Sequence, residues 1–139
     1  MSAEERIRRT LALYVQKVDD RDIDGCVALF AANARHTSRS GQRAGHSGIR
    51  QYLTDLYANA PRGWRTKHFL SSPVIDLDGD TAEVVSDVVV YECFDDLPWA
   101  IRETGRHRDR LVLEDSEWRF AEKRVESDTF VLSGPRSVK

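Results

Sequence analysis

The chain has 139 residues, 40% of them hydrophobic and 32% charged, and a mean hydropathy of -0.52, which excludes a disordered or membrane-embedded protein and predicts one globular domain. A net charge of -2 and a pI near 6.1 give no global attraction to nucleic acid. The start, MSAEERIRRT, lacks the apolar core of a signal peptide, so a cytoplasmic location is expected, and Cys26 and Cys93, in no metal-ligand or redox spacing, read as buried free thiols.

From Glu4 to Val18, the residues Ile7, Leu11, Tyr14 and Val18 recur at three- and four-residue steps, which predicts an amphipathic helix with its arginines turned outward. The acidic turn Asp19-Asp20-Arg21-Asp22 ends it, and Asp22 is placed to cap a second short helix carrying Ile23, Cys26, Val27, Leu29 and Phe30. ARHTS, residues 34–38, predicts a short strand. The glycine-punctuated loop SGQRAGHSG leads into a third helix with Ile49, Tyr52, Leu53 and Leu56, stopped by Pro61 and Gly63. Beyond Trp64 the runs are rich in valine, threonine and aromatics, broken at Asp78-Gly79-Asp80, at Asp95-Asp96 with Pro98, and at Glu114-Asp115-Ser116. Four hairpin-joined strands are predicted, about 65–77, 81–94, 99–113 and 117–130, in a single domain over 1–130 with a polar tail at 131–139. Helices followed by an antiparallel meander make an α+β layout in which a curved sheet wraps the helices.

The segments YVQKVDDRDIDGCVALFAANA, GIRQYL, KHFLSSPVIDLDGDTAEV and GRHRDRLVLEDSEWRFAEKRV resemble the SnoaL-like branch of the nuclear-transport-factor-2-like superfamily, on its scytalone-dehydratase-like side, over about residues 5–128. The resemblance implies a cystatin-like conical barrel: three N-terminal helices packed in a strongly curved, mostly antiparallel sheet around a deep apolar cavity, often as a homodimer. Relatives in that superfamily include dehydratases, a dehydrochlorinase, ketosteroid isomerase, polyketide cyclases, dioxygenase small subunits and members with no catalysis. Such a scaffold constrains the fold more than the chemistry.

Alternation along the strand puts His68 on one face with Thr66, Leu70, Ser72 and Val74, opposite Lys67 and Phe69. Spacing alone favours a structural core histidine, with Asp19 an ordinary turn residue. The resemblance to the dehydratases and the dehydrochlorinase aligns His68 and Asp19 as a base and its partner. A carboxylate accepting the Nδ1 proton leaves Nε2 as the basic nitrogen and stabilises the imidazolium formed on proton abstraction. Tyr14, on the buried stripe of the first helix, is read two ways: a phenol donor to a leaving or developing oxygen, or a core tyrosine with a wet tip.

On the strand at 99–113, Trp99, Ile101, Glu103, His107, Asp109, Leu111 and Leu113 share one face by parity, and Arg102, Arg106, Arg108 and Arg110 the other. Asp109 lies near where ketosteroid isomerase keeps a protonated aspartate. That enzyme also needs a carboxylate base where this chain has Ser38, so its route is not expected, and a structural acid paired with an arginine is the favoured reading of Asp109. In the last strand, Trp118, Phe120, Glu122 and Arg124 share a face, and relatives of the bile-acid-dehydratase type use an arginine near Arg124 to hold a carboxylate or polarise a carbonyl. Phe30, Tyr52, Trp99, His107 and Asp109, the last two projecting toward the cavity or its mouth, complete the expected substrate-binding wall. His36 and His46 form no HExxH-type spacing, so no metal site is expected and no cofactor is implied. Gly41, Gly45 and Gly48 make no phosphate-binding loop and read as a mobile cavity rim.

Two functions of different class follow. One is a cofactor-independent lyase or isomerase, dehydratase- or cyclase-like, in which His68, Asp19 and Tyr14 act on a small apolar, polyketide-like or steroid-like molecule. The other is a non-catalytic ligand-binding or assembly domain of the same fold, a dioxygenase small-subunit-like role included. Neither involves nucleic acid or a membrane, and a homodimer is the expected assembly.

Overall fold

In the computed structural model of the chain, which describes residues 1–130, the first element is fixed by a capping box. Ser2 Oγ accepts from the Glu5 amide at 3.1 Å, and the Glu5 carboxylate accepts from the Ser2 amide at 2.7 Å, starting α1 (Ala3–Asp19). Arg21, at φ 58°, turns the chain, and Asp22 accepts from the Gly25 amide at 2.9 Å to cap α2 (Ile23–Val27). There follow β1 (Phe30–Ser38), β2 (Gly41–Ala44), α3 (Gly45–Ala58), β3 (Trp64–Leu70) and β4 (Val74–Asp78). β5 (Thr81–Phe94), β6 (Ala100–Glu114) and β7 (Glu117–Phe130) complete the described chain. The tail expected at 131–139 lies outside the described residues. Among those described, no helix is long and apolar enough to cross a membrane.

The strands form one sheet of seven in the order β2-β1-β7-β6-β5-β3, with β4 also on β5. Among the described strands only β1 and β7 pair in parallel. The sheet curves round the helices, and its concave side and the helical stripes share a core that includes Ile7, Leu11, Phe30, Ile49, Leu111 and Phe120. This is the α+β, cystatin-like arrangement of three helices in a curved, mostly antiparallel sheet.

Three local expectations are corrected. The strand predicted at 65–77 divides into β3 and β4 around Ser71-Ser72-Pro73, because Pro73 has no amide to give a ladder and Ser71 Oγ instead accepts from the Asp87 amide at 2.8 Å. The second helix stops at Val27, and Leu29 turns its carbonyl to the Phe120 amide at 2.9 Å, so Phe30 opens β1. The glycine-rich segment read as a loop is β2, hairpinned onto Arg35–Ser38, followed directly by α3.

Two bulges reset which side chains face inward. In β6, Val90 pairs with Glu103 but Tyr91 with Ile101, leaving Arg102 as the extra residue. In β7, Arg110 pairs with Glu122 but Leu111 with Phe120, leaving Ala121 extra. The face shared by Trp99, Ile101 and Glu103 in a regular strand is therefore broken, and so is the row running from Phe120 to Arg124. A one-residue insertion moves every later side chain to the opposite side.

A third irregularity, where Thr104 pairs with Thr129 but Gly105 with Ser127, brings β7 close over Gly105. A Cβ there would lie 2.4 Å from the Glu126 carbonyl oxygen, which belongs to backbone and has no rotamer to yield. Gly105→Ala is expected to lower stability by about 1–3 kcal/mol in urea denaturation. Gly48→Ala, whose Cβ meets only Arg43 atoms at 3.7 Å and sits in helix α3, is expected to raise it by roughly 0.5–1 kcal/mol.

Candidate functional site

Asp19 ends α1, where a carboxylate faces the negative pole of the helix and is ordinarily disfavoured. Donors from β3 offset this. Asp19 Oδ2 accepts from the His68 amide at 2.9 Å, and Oδ1 accepts from Thr66 Oγ1 at 3.1 Å and from His68 Nδ1 at 2.6 Å. Both side chains are mostly withdrawn from solvent, at 14% and 19% relative exposure, so the bond is shielded. Because an ionised carboxylate can only accept, Nδ1 carries a proton, and in the neutral ring Nε2 then holds the lone pair.

His68 lines a cavity of about 290 Å³ between the helices and the concave sheet face. Tyr14 and Val18 of α1, Tyr52 and Leu56 of α3, and Val88 and Val90 of β5 supply much of its wall. Burial raises the Tyr14 phenol well above its ordinary value, so it is a neutral donor there. Arg21 and Arg39 reach the rim, and Arg21 donates to the Trp64 carbonyl at 2.7 Å. Beside them Glu92 gathers Trp64 Nε1 at 2.8 Å and Arg102 Nη1 at 3.1 Å, with the guanidinium over the Trp64 ring.

A second polar group lies beneath the cavity. Lys123 is wholly buried, yet its Nζ donates to Asp109 Oδ1 at 2.9 Å and to His107 Nδ1 at 3.3 Å. The ammonium also stands 4.4 Å from the ring centroids of both Tyr14 and Phe120. His36, directly opposite Lys123 across the β1–β7 pair, stacks on Tyr52 with centroids 4.9 Å apart. Burial, and then the Lys123 charge, hold the His36 imidazole down at about 4 and push His107 well below the usual histidine range. Burial raises the Asp109 carboxyl, and Lys123 opposes that rise.

The sequence-predicted residues separate clearly. His68 and Asp19 come together at the helix–sheet seam; Tyr14 lines the same cavity as His68 but packs on Phe30, Phe120 and Lys123, and Tyr52 and His107 also line the cavity. Asp109 sits below it, paired with Lys123 and not with an arginine. Phe30 is packed 5.9 Å from Tyr14 and 5.1 Å from Phe120 in the core, and does not form cavity wall. Trp99 is on the outer surface, under Arg65 and beside Phe69, because the β6 bulge has reversed the parity. The same bulge turns Arg102 inward, away from Arg106 and Arg108. Arg124 is half exposed on the convex face opposite Arg108, paired with Glu122, because the bulge at Ala121 turns Lys123 inward in its place. His46 is structural, donating through Nε2 to the Phe30 carbonyl at 2.7 Å. Cys26 and Cys93 are buried free thiols, and burial pushes Cys26 up to about 12.

Lys123 and His36 are the polar residues that parity arguments passed over, whereas Glu103, which parity put on the face of His107, does line the cavity. One signal was present: an aspartate among inward apolar residues of β6 demands a buried cation, and Lys123 is the cation on the neighbouring strand flanked by residues that prefer water.

The model of the SnoaL-like domain family matches residues 1–124 of this chain. No curated protein matches it. Among solved structures, the chain is similar to a cystatin-like-fold protein of Nostoc punctiforme, at 19% identity and TM-score 0.82 over 96% of this chain and 97% of that one. It is similar to a scytalone dehydratase-like protein of Novosphingobium aromaticivorans, at 21% identity and TM-score 0.79 over 92% and 85% of the two chains. It is also similar to the β subunit of an aromatic-ring-hydroxylating-dioxygenase-type protein of that bacterium, at 18% identity and TM-score 0.78 over 94% and 92%. At such identities the likeness is one of fold.

Two outcomes follow from the buried cluster. Lys123→Met leaves the Asp109 carboxylate without a cation and is expected to cost about 3–5 kcal/mol in chemical denaturation, most of it recovered in Lys123→Met/Asp109→Leu. His36 folds with its affinity for a proton reduced, from an ordinary value near 6.5 to about 4, so the unfolded chain takes up the proton first as pH falls. The stabilisation is complete above about pH 6.5 and is lost as pH falls toward about 4, by an amount on the order of 3 kcal/mol. Thermal melts of His36→Leu across this range should show a correspondingly flatter decline than the parent.

Proposed function

The chain belongs to the SnoaL-like family, and from that premise we propose that it is a cofactor-independent lyase or isomerase for a small, largely apolar cyclic or polyketide-like molecule. The observation that carries the reading is the 2.6 Å bond between His68 Nδ1 and Asp19 Oδ1 at the wall of a cavity between the helices and the sheet. A base needs a lone pair facing the substrate and a way to hold the proton it takes. With Nδ1–H committed to Asp19, Nε2 is the basic nitrogen, and the carboxylate stabilises the imidazolium after a C–H proton has moved to Nε2. The electron pair of that bond either forms an enolate or expels a β-hydroxyl, which leaves as water once it gains a proton. Tyr14, neutral at working pH, donates a hydrogen bond to the oxygen on which charge gathers. The cavity's aliphatic and aromatic walls support an apolar skeleton as substrate.

The assembly reading draws on the likeness to a dioxygenase β subunit, in which the chain would serve beside a large partner and the His68–Asp19 bond would be structural. A homodimer acting in the cytoplasm is the proposed setting of the enzyme. The outer surface of β3, β5 and β6, with Phe69, Trp99 and Ile101 at 55%, 43% and 40% exposure, supports a second copy of the chain there.

The test uses a panel of cyclic β-hydroxy ketones and polyketide-like aromatics, with product formation and binding recorded separately. For a turned-over substrate, His68→Ala and Asp19→Asn are each expected to lower kcat/KM by about 10²–10⁴-fold with the circular dichroism spectrum unchanged. Tyr14→Phe is expected to lower kcat by about 10–100-fold. Full turnover in both His68→Ala and Asp19→Asn would falsify the base assignment, and binding without product across the panel favours the assembly reading.

A further inference from the structure

The base described above uses one histidine of the cavity, and a second one stands on the same concave face. His107 lies on β6, separated from His68 on β3 by the single strand β5, and both side chains line the cavity. What distinguishes His107 is the partner behind it. Lys123 Nζ approaches its Nδ1 at 3.3 Å, and an ammonium can only donate. Nδ1 must therefore be the accepting nitrogen, and the ring's own proton is forced onto Nε2. The remaining hydrogens of Lys123 are engaged as well, by Asp109 Oδ1 at 2.9 Å and by the π faces of Tyr14 and Phe120. With the ammonium locked in this way, His107 has no reason to exchange tautomers. Its Nε2 edge has no protein partner among the described residues.

We infer that His107 is a second catalytic residue, a fixed neutral Nε2–H donor to a substrate oxygen in the cavity, and that Lys123 is the positioning residue that sets its tautomer. The inference rests on the proposed role of His68 as base and extends it to the other end of the reacting system. His68 Nε2 accepts a proton from a C–H bond, the electron pair of that bond moves onto the adjacent carbonyl oxygen, and that oxygen accepts the His107 Nε2–H hydrogen bond without taking its proton. Charge and protons balance: one proton on His68, one negative charge on the substrate oxygen. The donor is also strengthened from behind. Donation from a cation into Nδ1 withdraws electron density from the ring and makes Nε2–H more acidic. Burial and the neighbouring Lys123 charge keep the ring neutral, so it polarises the oxygen and does not act as a charged acid. The two histidines thus present opposite polarity to one ligand, a lone pair at His68 and an N–H at His107. The substrate class that fits is a ketone or quinone-like ring able to enolise, with its oxygen toward β6 and its acidic carbon toward β3.

Nitrogen NMR of the full chain labelled with ¹⁵N-histidine tests this without needing the substrate, with resonances assigned from His36→Leu, His46→Gln and His107→Phe. At neutral pH the expected pattern is a neutral His107 with a bare Nδ1 and a protonated Nε2, the mirror image of His68. A protonated Nδ1 or a charged ring at His107 overturns the inference. In Lys123→Met, the His107 signals should move toward a mixture of tautomers, which loss of packing alone does not produce; where that variant does not fold, the parent spectrum decides. A second arm uses 2-naphthol as a stand-in for an aromatic enol, and naphthalene as the same skeleton without oxygen. The parent is expected to prefer 2-naphthol by about tenfold, and His107→Phe to abolish that preference. A preference unchanged in His107→Phe, or no response of His107 Nε2 to 2-naphthol, overturns it. Failure of the base assignment would look different: His68→Ala would keep its turnover while the His107 tautomer and the naphthol preference stood.

Discussion

A positive charge with no access to water organises the floor of this barrel. Lys123 has no exposed surface, and an unpaired ammonium in such a place would cost several kcal/mol. The fold meets that demand from three directions: a carboxylate from β6, an imidazole nitrogen from the same strand, and two aromatic faces from α1 and β7. None of these can move independently. Asp109 and Lys123 are cross-strand partners, His107 lies two residues from Asp109, and Tyr14 is wedged against Phe30 and Phe120. The charge therefore sets the rotamers of side chains that also line the cavity, which ties the stability of the core to the geometry of the site.

The seam between α1 and β3 is governed by a different economy. There the negative pole of the helix and the Asp19 carboxylate repel each other, and only the donors of β3 make the arrangement favourable. Two of those donors, the His68 amide and Thr66 Oγ1, serve to aim the carboxylate so that its remaining direction meets Nδ1. A carboxylate held by backbone and hydroxyl is a rigid orienter of an imidazole, and the proposed base rests on that rigidity.

How much of this could be read in the chain depends on whether the relevant pattern is periodic. The stripe Ile7-Leu11-Tyr14-Val18 and the alternation around Thr66 and His68 continue unbroken through their elements, so the helix and the inner face of β3 were legible, and the resemblance brought Asp19 to His68. The failures cluster after bulges. Arg102 and Ala121 each add one residue that no alternation count detects, and Trp99 and Arg124 fall outside while Arg102 and Lys123 fall inside. A bulge is a property of a strand pair, set by how two ladders accommodate sheet curvature, and one strand's residue order holds little record of it. The division of β3 from β4 is a milder case, since Pro73 marks it openly in the residue order.

His68 and His107 show how identical residues can acquire opposite chemistry from their second neighbours. His68 is backed by a group that can only accept, so its outer nitrogen becomes an acceptor; His107 is backed by a group that can only donate, so its outer nitrogen becomes a donor. Neither assignment needs a charge on the imidazole. Val88 and Val90 of β5, the strand between the two histidines, offer no side-chain hydrogen bonds, so on the proposed reading a ligand's direction along that wall follows from which of its atoms can give a proton and which can receive one. On the proposed reading, direction of binding and direction of electron flow are then the same vector, which is what an enzyme needs in order to act on a largely featureless ring.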